Sequence, residues 1–153
     1  MHISVKQIKK NQYLEKNMQS TLSSILRTLQ LTLAILWIYQ GLVPKIIYQV
    51  NEEHLFWQYT GIQFLTVPTL ITLSGMIEIV FGSLFLLVKK SILLHVINIV
   101  GLTILMIIVG IIYPQYFYHA FNPVVMNIAM ITLSIIAIQI LHSNKKMKDI
   151  TYT

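Results

Sequence analysis

Residues Pro68–Val88 read PTLITLSGMIEIVFGSLFLLV, and this stretch decides the fold. A bilayer has about 30 Å of hydrocarbon and takes roughly 20 residues of helix to cross, which is the length of this run. Glu78, near its middle, is its only Asp, Glu, Lys or Arg. A carboxyl group at the bilayer centre costs at least about 2.5–3.5 kcal/mol on insertion scales, so such residues usually face a bundle interior and have a function there.

Three further apolar runs of similar length accompany this one. The 153-residue chain is 56% hydrophobic and 10% charged, whereas about 25% of a typical soluble domain is charged. We therefore predict an all-α membrane protein with four transmembrane helices in a bundle. The predicted spans cover residues 24–44, 68–88, 91–113 and 122–142, with basic segments at 1–23 and 143–153.

The basic residues predict which way the bundle faces. Of the eleven Lys and Arg residues, all except Lys45 precede the first span or lie in its first turn, lie between the second and third spans, or follow the fourth. The positive-inside rule then places both termini in the cytoplasm. The net charge of +6 thus reflects topology and attraction to the lipid bilayer, and we predict no nucleic-acid partner. The absence of cysteine excludes disulfide relays and thiolate sites.

The ends of the first span are marked by serine and proline. Ser23 and Ser24 can cap a helix, and Pro44 should end it. The following outward loop, residues 45–67, carries acidic and aromatic residues that suit the membrane interface, and we expect a short helix lying on the bundle there.

Each predicted span carries one stripe of polar or small residues. At 100° per residue, Glu78 shares a face with Gly75 and Gly82, and glycines allow a neighbouring backbone to come close. Four stripes that meet in one place would keep all these groups out of lipid. The other stripes contain Trp37, Gln40, Gly41, Pro44 and Lys45 in the first span, His95, Asn98 and Gly101 in the third, and Pro123, Asn127, Met130 and Ser134 in the fourth.

Depth suggests how these stripes connect. At about 1.5 Å per residue, Glu78 lies roughly 15 Å from both surfaces and Lys45 lies at the outer one. A direct pair would be stretched, so we expect a polar ladder from Lys45 through Gln40 and Asn127 to Glu78, in a cleft open to the outside. No catalytic residue and no metal ligand is predicted. The candidate ligand-binding or proton site comprises Glu78, Lys45, Gln40, Asn127, Trp37 and Asn122.

Structural roles remain open for the same residues. A protonated Glu78 could join two helices by hydrogen bonds. Gln40, Asn98 and Asn127 could each serve as hydrogen-bonding residues between helices, and Trp37 could simply pack.

Three segments of the chain carry a family resemblance. Trp37-Ile38-Tyr39-Gln40-Gly41-Leu42-Val43-Pro44-Lys45, Ser74-Gly75-Met76-Ile77-Glu78-Ile79-Val80-Phe81-Gly82 and Phe121-Asn122-Pro123-Val124-Val125-Met126-Asn127 together resemble the DoxX-like membrane protein family. The resemblance covers roughly Leu26 to Leu141. It implies a four-helix bundle in the bacterial cytoplasmic (inner) membrane. Relatives include small membrane subunits associated with quinone-linked oxidoreductases, while the chain lacks the cysteines of thiol-handling relatives.

Several functions fit these observations. The first is a membrane subunit, or a binder of a hydrophobic, quinone- or lipid-like ligand, with a polar cleft around Glu78. The alternatives are a proton-coupled transporter or redox-linked membrane enzyme that uses Glu78, and a purely structural subunit of a membrane complex. No autonomous catalytic constellation is visible, which favours a non-enzyme. A quinone is the candidate ligand, an oxidoreductase protein the candidate partner, and a homo-oligomer stays open.

Overall fold

The computed structural model describes residues 5–118 and 122–151, and almost all of them are helical. Within this part, four helices are long and apolar enough to cross a membrane, which confirms the predicted four-span, all-α architecture. Phe121, quoted above in the third segment, lies outside the described residues. The elements are α1 (Val5–Gln40), a π-helical extension of α1 (Gly41–Ile47), α2 (Asn51–Tyr59), α3 (Val67–Leu87), α4 (Ile92–Ile112), a 3-10 turn (Pro114–Tyr118) and α5 (Pro123–Thr151).

The first helix differs from the prediction at both ends. It begins at Val5 rather than near Ser23–Ser24. Val5–Gln40 contains no glycine or proline and is rich in Lys, Gln and Leu, so a helix formed by the apolar span continues into the polar segment before it. At the other end Pro44 does not stop the helix, because the chain widens into the π-helical turn Gly41–Ile47 around it.

Two of the remaining helices, α4 and α5, begin at capping side chains. The Ser91 hydroxyl caps α4 by accepting a hydrogen bond from the Leu94 amide at 3.2 Å. Asn122 precedes Pro123 at the start of α5, and its side-chain oxygen accepts from the amides of Val124 and Val125. This is the polar N-cap followed by proline at the first helical position that helices favour. The predicted short helix of the outward loop is α2.

Packing places α1 at the centre of the bundle. It contacts mainly α3 and also α5, while α4 contacts mainly α5 and α2 lies on α3. Apolar side chains such as Ile77, Val80 and Ile111 remain exposed on the outer faces, as expected for a surface that meets lipid. Two buried clusters form the core, one with Leu33, Ala34, Trp37, Phe85, Leu94, Leu102 and Met130, and the other with Leu26, Leu29, Ala137, Ile140 and Leu141.

Glycines set the distance between α1 and α3. A methyl group added at Gly41 would collide with the Gly75 carbonyl oxygen, and one added at Gly75 would lie 2.7 Å from the Gly41 carbonyl oxygen. At Gly82 an added methyl group would lie 2.8 Å from the Trp37 Cβ. The predicted close approach beside Glu78 is therefore confirmed, and Gly41 is its partner on the first helix.

Candidate functional site

A cavity of about 750 Å³ lies at the end of the bundle that holds α2 and the 3-10 turn. Both connections lie at this end because one joins α1 to α3 and the other joins α4 to α5. Most of the lining is apolar. Its polar members are Gln40, Lys45, Glu53, Glu78, Asn122 and Asn127, and its apolar and aromatic members include Tyr39, Phe56, Leu105, Met106, Val109, Tyr116, Phe117 and Met126.

Lys45 and Glu78 form a direct ion pair in the wall of this cavity. The Lys45 Nζ lies 2.6 Å from the Glu78 Oε1 and 3.7 Å from the Glu53 Oε1. The side chains of Lys45 and Glu78 are 13% and 12% exposed. The expectation of a stretched pair bridged by a ladder is therefore wrong. Gln40 does donate to the Asn127 Oδ1, at 3.5 Å, but this contact is not needed to connect Lys45 with Glu78.

The glycine contact explains why the pair is direct. Lys45 follows Gly41 by four residues and Glu78 follows Gly75 by three, on antiparallel neighbours, so their Cα atoms are separated along the axis by roughly 10 Å. The backbones touch at the two glycines, and the Glu78 Cβ would lie 3.1 Å from a methyl group at Gly41. The lateral distance between the two helices is therefore small, and the long Lys45 side chain can extend between them towards Glu78.

The π-helical turn carries the lysine to this position. Pro44 and Lys45 both belong to the segment Gly41–Ile47 and both line the cavity. Single π-helical turns occur often at functional sites because they rotate side chains off the regular helical face. The apolar pattern of the first span does not predict such a turn.

One carboxylate oxygen of Glu78 is left without a partner. Its Oε1 accepts from Lys45, but its Oε2 is buried and has no hydrogen-bond partner among the described residues. A buried polar atom without a partner costs about 1–3 kcal/mol, which makes it a candidate contact for a ligand. Glu53, Glu78 and Lys45 together bring two carboxylates and one ammonium group to the cavity.

Asn122 and Trp37 have other partners. Asn122 lines the cavity, yet its side chain caps α5 and donates to the Phe117 carbonyl at 3.2 Å. Trp37 is absent from the cavity lining, and its Nε1 donates to the Asn98 Oδ1 at 2.7 Å. Of the six predicted site residues, the structure brings five to one cavity, and Trp37 belongs to the packed interior beneath.

That interior holds a separate polar network. The Asn98 Nδ2 donates to the Ser134 Oγ at 2.9 Å and to the Met130 carbonyl at 3.3 Å, and the Ser134 Oγ lies 3.2 Å from the His95 Nδ1. The side chains of His95, Asn98 and Ser134 are fully buried. This network is the meeting of the third and fourth polar stripes that the helical periodicity predicts.

The cavity residues that were not among the predicted site residues include Glu53 and Phe56 on α2 and Tyr116 in the 3-10 turn. Burial, with the charge of Glu53 next in importance, raises the pKa of Tyr116, so its phenol stays protonated at neutral pH. Charge complementarity was the signal for Glu53, because the outward loop sets two glutamates close in sequence to the one outward lysine. No comparable signal marks Phe56 or Tyr116.

Comparison with known proteins identifies the family. No curated protein and no solved structure is significantly similar to the chain. The family model of the DoxX-like family matches residues 34–135, a stretch that runs from the last two turns of α1 into α5 and contains the ion pair and the cavity lining. The match covers well over half of the chain, and this multi-pass helical membrane protein belongs to the DoxX-like family.

Proposed function

We propose that the protein binds an amphiphilic, quinone- or lipid-like molecule in the cavity around Glu78, as a small subunit of the bacterial cytoplasmic membrane. The observation that carries this proposal is the cavity itself. It has a volume of about 750 Å³, a mainly apolar lining and a few polar side chains around one ion pair. Small-molecule sites typically have this size and composition.

The position of the cavity supports a ligand that comes from the membrane. Its wall includes exposed residues of membrane-spanning helices, Tyr39 on α1 and Val125 on α5. A molecule with an apolar tail can therefore keep the tail among these side chains and place its polar end beside Glu78. The chain's predicted orientation, with both termini in the cytoplasm, would place the cavity in the outer half of the bundle.

The ion pair favours binding over the alternative of proton carriage by Glu78. A carboxyl group in contact with an ammonium group at 2.6 Å would have to give up that contact whenever it took up a proton, whereas a carrier must bind and release its proton readily. A purely structural role would account for the ion pair, but it gives no reason for the empty volume beside it or for the unpartnered Glu78 Oε2.

The test is to fill the cavity without touching its polar groups. Val109 lines the cavity from α4, and Val100 lies on the same helix, half exposed and outside the lining. Native mass spectrometry of protein extracted in a gentle detergent should show a non-covalently bound lipid or quinone in the wild type and in Val100→Phe. Val109→Phe should lose it.

Thermal unfolding of both variants distinguishes filling from misfolding. Val109→Phe should be folded and should unfold in a single transition, because the added ring fills the cavity and displaces no neighbouring side chain. Equal occupancy of the bound molecule in Val109→Phe and Val100→Phe, or a wild type that carries nothing, would refute the proposed function.

A further inference from the structure

We propose that the cavity selects amphiphiles whose polar end donates a hydrogen bond, such as a phenol, a hydroquinone, an alcohol or an amine, over those that only accept one. This inference rests on the proposed function and adds the chemical class of the ligand's polar end. It follows from a count of the hydrogen-bond donors and acceptors that the protein itself brings to the cavity.

Acceptors with a negative charge are in excess. The two carboxylates of Glu53 and Glu78 face a single ammonium group, that of Lys45. The ammonium approaches one oxygen of each carboxylate, and the Glu78 Oε2 remains buried with no partner among the described residues. A ligand atom that carries a hydrogen is the group that would satisfy this oxygen.

Three of the donors in the lining are already engaged, whereas the Asn127 Nδ2 makes no hydrogen bond within the described residues. Lys45 donates to Glu78 and is shared with Glu53. The Gln40 Nε2 donates to the Asn127 Oδ1, and the Asn122 Nδ2 donates to the Phe117 carbonyl. A ligand that offers only acceptor oxygens could bond a neutral amide such as the Asn127 Nδ2, but it would leave two carboxylates opposite one ammonium group without a further donor.

The apolar surroundings enlarge the difference in affinity between ligands that donate a hydrogen bond and ligands that only accept one. The rest of the lining is mainly apolar, so water replaces a missing hydrogen bond poorly once a ligand fills the space, and charged acceptors make the stronger hydrogen bonds. Sites built to bond a ligand hydroxyl reject analogues that lack it far more strongly than apolar pockets reject a missing methylene. We expect a preference of at least about tenfold for the donor.

The same preference for donors would distinguish the two redox states of a quinone. A quinone presents only carbonyl acceptors at its ring, whereas the hydroquinone presents two hydroxyl donors. If the natural ligand belongs to this class, the cavity holds the reduced form in preference to the oxidised form.

The experiment uses a matched pair of probes, 4-nonylphenol and its methyl ether, which share ring and tail and differ in the hydroxyl hydrogen. Isothermal titration of the detergent-solubilised full chain should give a dissociation constant at least about tenfold lower for the phenol. In Glu78→Gln the preference should fall below about threefold, because an amide offers both a donor and an acceptor. Glu15→Gln, which removes an exposed carboxylate on α1, should keep the wild-type preference.

The outcomes separate this inference from the proposed function. If both probes bind the wild type equally, the cavity is a ligand site without the proposed selectivity, and the inference is overturned alone. If neither probe binds, the proposed function falls with it. A tenfold preference that persists in a folded Glu78→Gln would overturn the assignment to Glu78. The wild-type comparison alone decides the selectivity even if that variant does not fold.

Discussion

Two polar regions of the bundle are formed by the same kind of polar stripe, but they differ in how tightly their side chains are packed. In the interior, the side chains of Trp37, Asn98, Ser134 and His95 bond one another in tight packing. At the end that carries α2, Lys45 and Glu78 bond each other beside about 750 Å³ of open volume. Each region leaves one buried atom without a hydrogen-bond partner among the described residues, the His95 Nε2 in the first and the Glu78 Oε2 in the second, but of these two residues Glu78 is the one that lines the cavity.

The difference indicates how a structural polar group can be told from a binding one in a membrane protein. Both regions contain residues that lipid would not tolerate, so the presence of polar side chains in the spans does not distinguish them. The distinguishing feature is an adjacent cavity with charged side chains in its wall. On this criterion we expect Asn98 to hold helices together and Glu78 to contribute to a ligand site.

The largest expected effect concerns which side of the membrane the cavity faces. A reporter fused after Thr153 should be active only in the cytoplasm, and one inserted beside Glu52, at the start of α2, only outside. The charge distribution drives this all-or-none outcome. A Glu52 reporter active in the cytoplasm would invert the bundle and turn the cavity inward.

The next effect concerns the contact that brings Lys45 to Glu78. Gly41→Ala should lower the free energy of unfolding by up to about 3 kcal/mol, since the added methyl group meets the Gly75 backbone, which cannot rotate away. Gly101→Ala is the matched control, because nothing lies within 4 Å of the added atom and alanine favours helix. Reversible unfolding in detergent and SDS measures both, and equal stability of the two variants would mean that the glycine contact is loose.

A smaller loss is expected in the interior network. Asn98→Ala removes the acceptor of the Trp37 Nε1 and the donor to Ser134, and should cost about 1–2 kcal/mol while leaving ligand binding intact. Thr103→Ala on the same helix is the control, because Thr103 bonds only its own helix backbone and is exposed. A free energy of unfolding that Asn98→Ala leaves unchanged would contradict the structural role of the interior network.

The smallest stability effect is expected at Glu78. Glu78→Gln retains an oxygen that can accept from Lys45, and the Glu53 carboxylate, 3.7 Å from the Lys45 Nζ, still balances the ammonium charge, so the free energy of unfolding should change by less than about 1 kcal/mol. A substantially larger loss in the same unfolding assay would show that Glu78 serves mainly to join α1 to α3.

Much of the fold could be predicted from the sequence, and much of the site's membership too. Long apolar runs set the four spans, and helical periodicity placed Gln40, Glu78 and Asn127 on inward faces. The Lys45–Glu78 pair could not be predicted from depth alone. An estimate that uses a fixed rise per residue takes no account of the contact between Gly41 and Gly75 or of the π-helical turn at Pro44. Glu53, Phe56 and Tyr116 were missed because tertiary packing of the connections, rather than any periodic pattern, brings them to the cavity.

The central claim, that Glu78 serves a ligand and Asn98 serves the fold, is tested most directly by ligand-induced stabilisation. A ligand at about one hundred times its dissociation constant stabilises a protein by about 2.7 kcal/mol. With 4-nonylphenol at that concentration for the wild type, we expect Asn98→Ala to start less stable and gain the full amount. Glu78→Gln should start at wild-type stability and gain at least about 1.4 kcal/mol less, corresponding to tenfold weaker binding. Full stabilisation of Glu78→Gln, together with none in Asn98→Ala, would contradict the assignment of both residues.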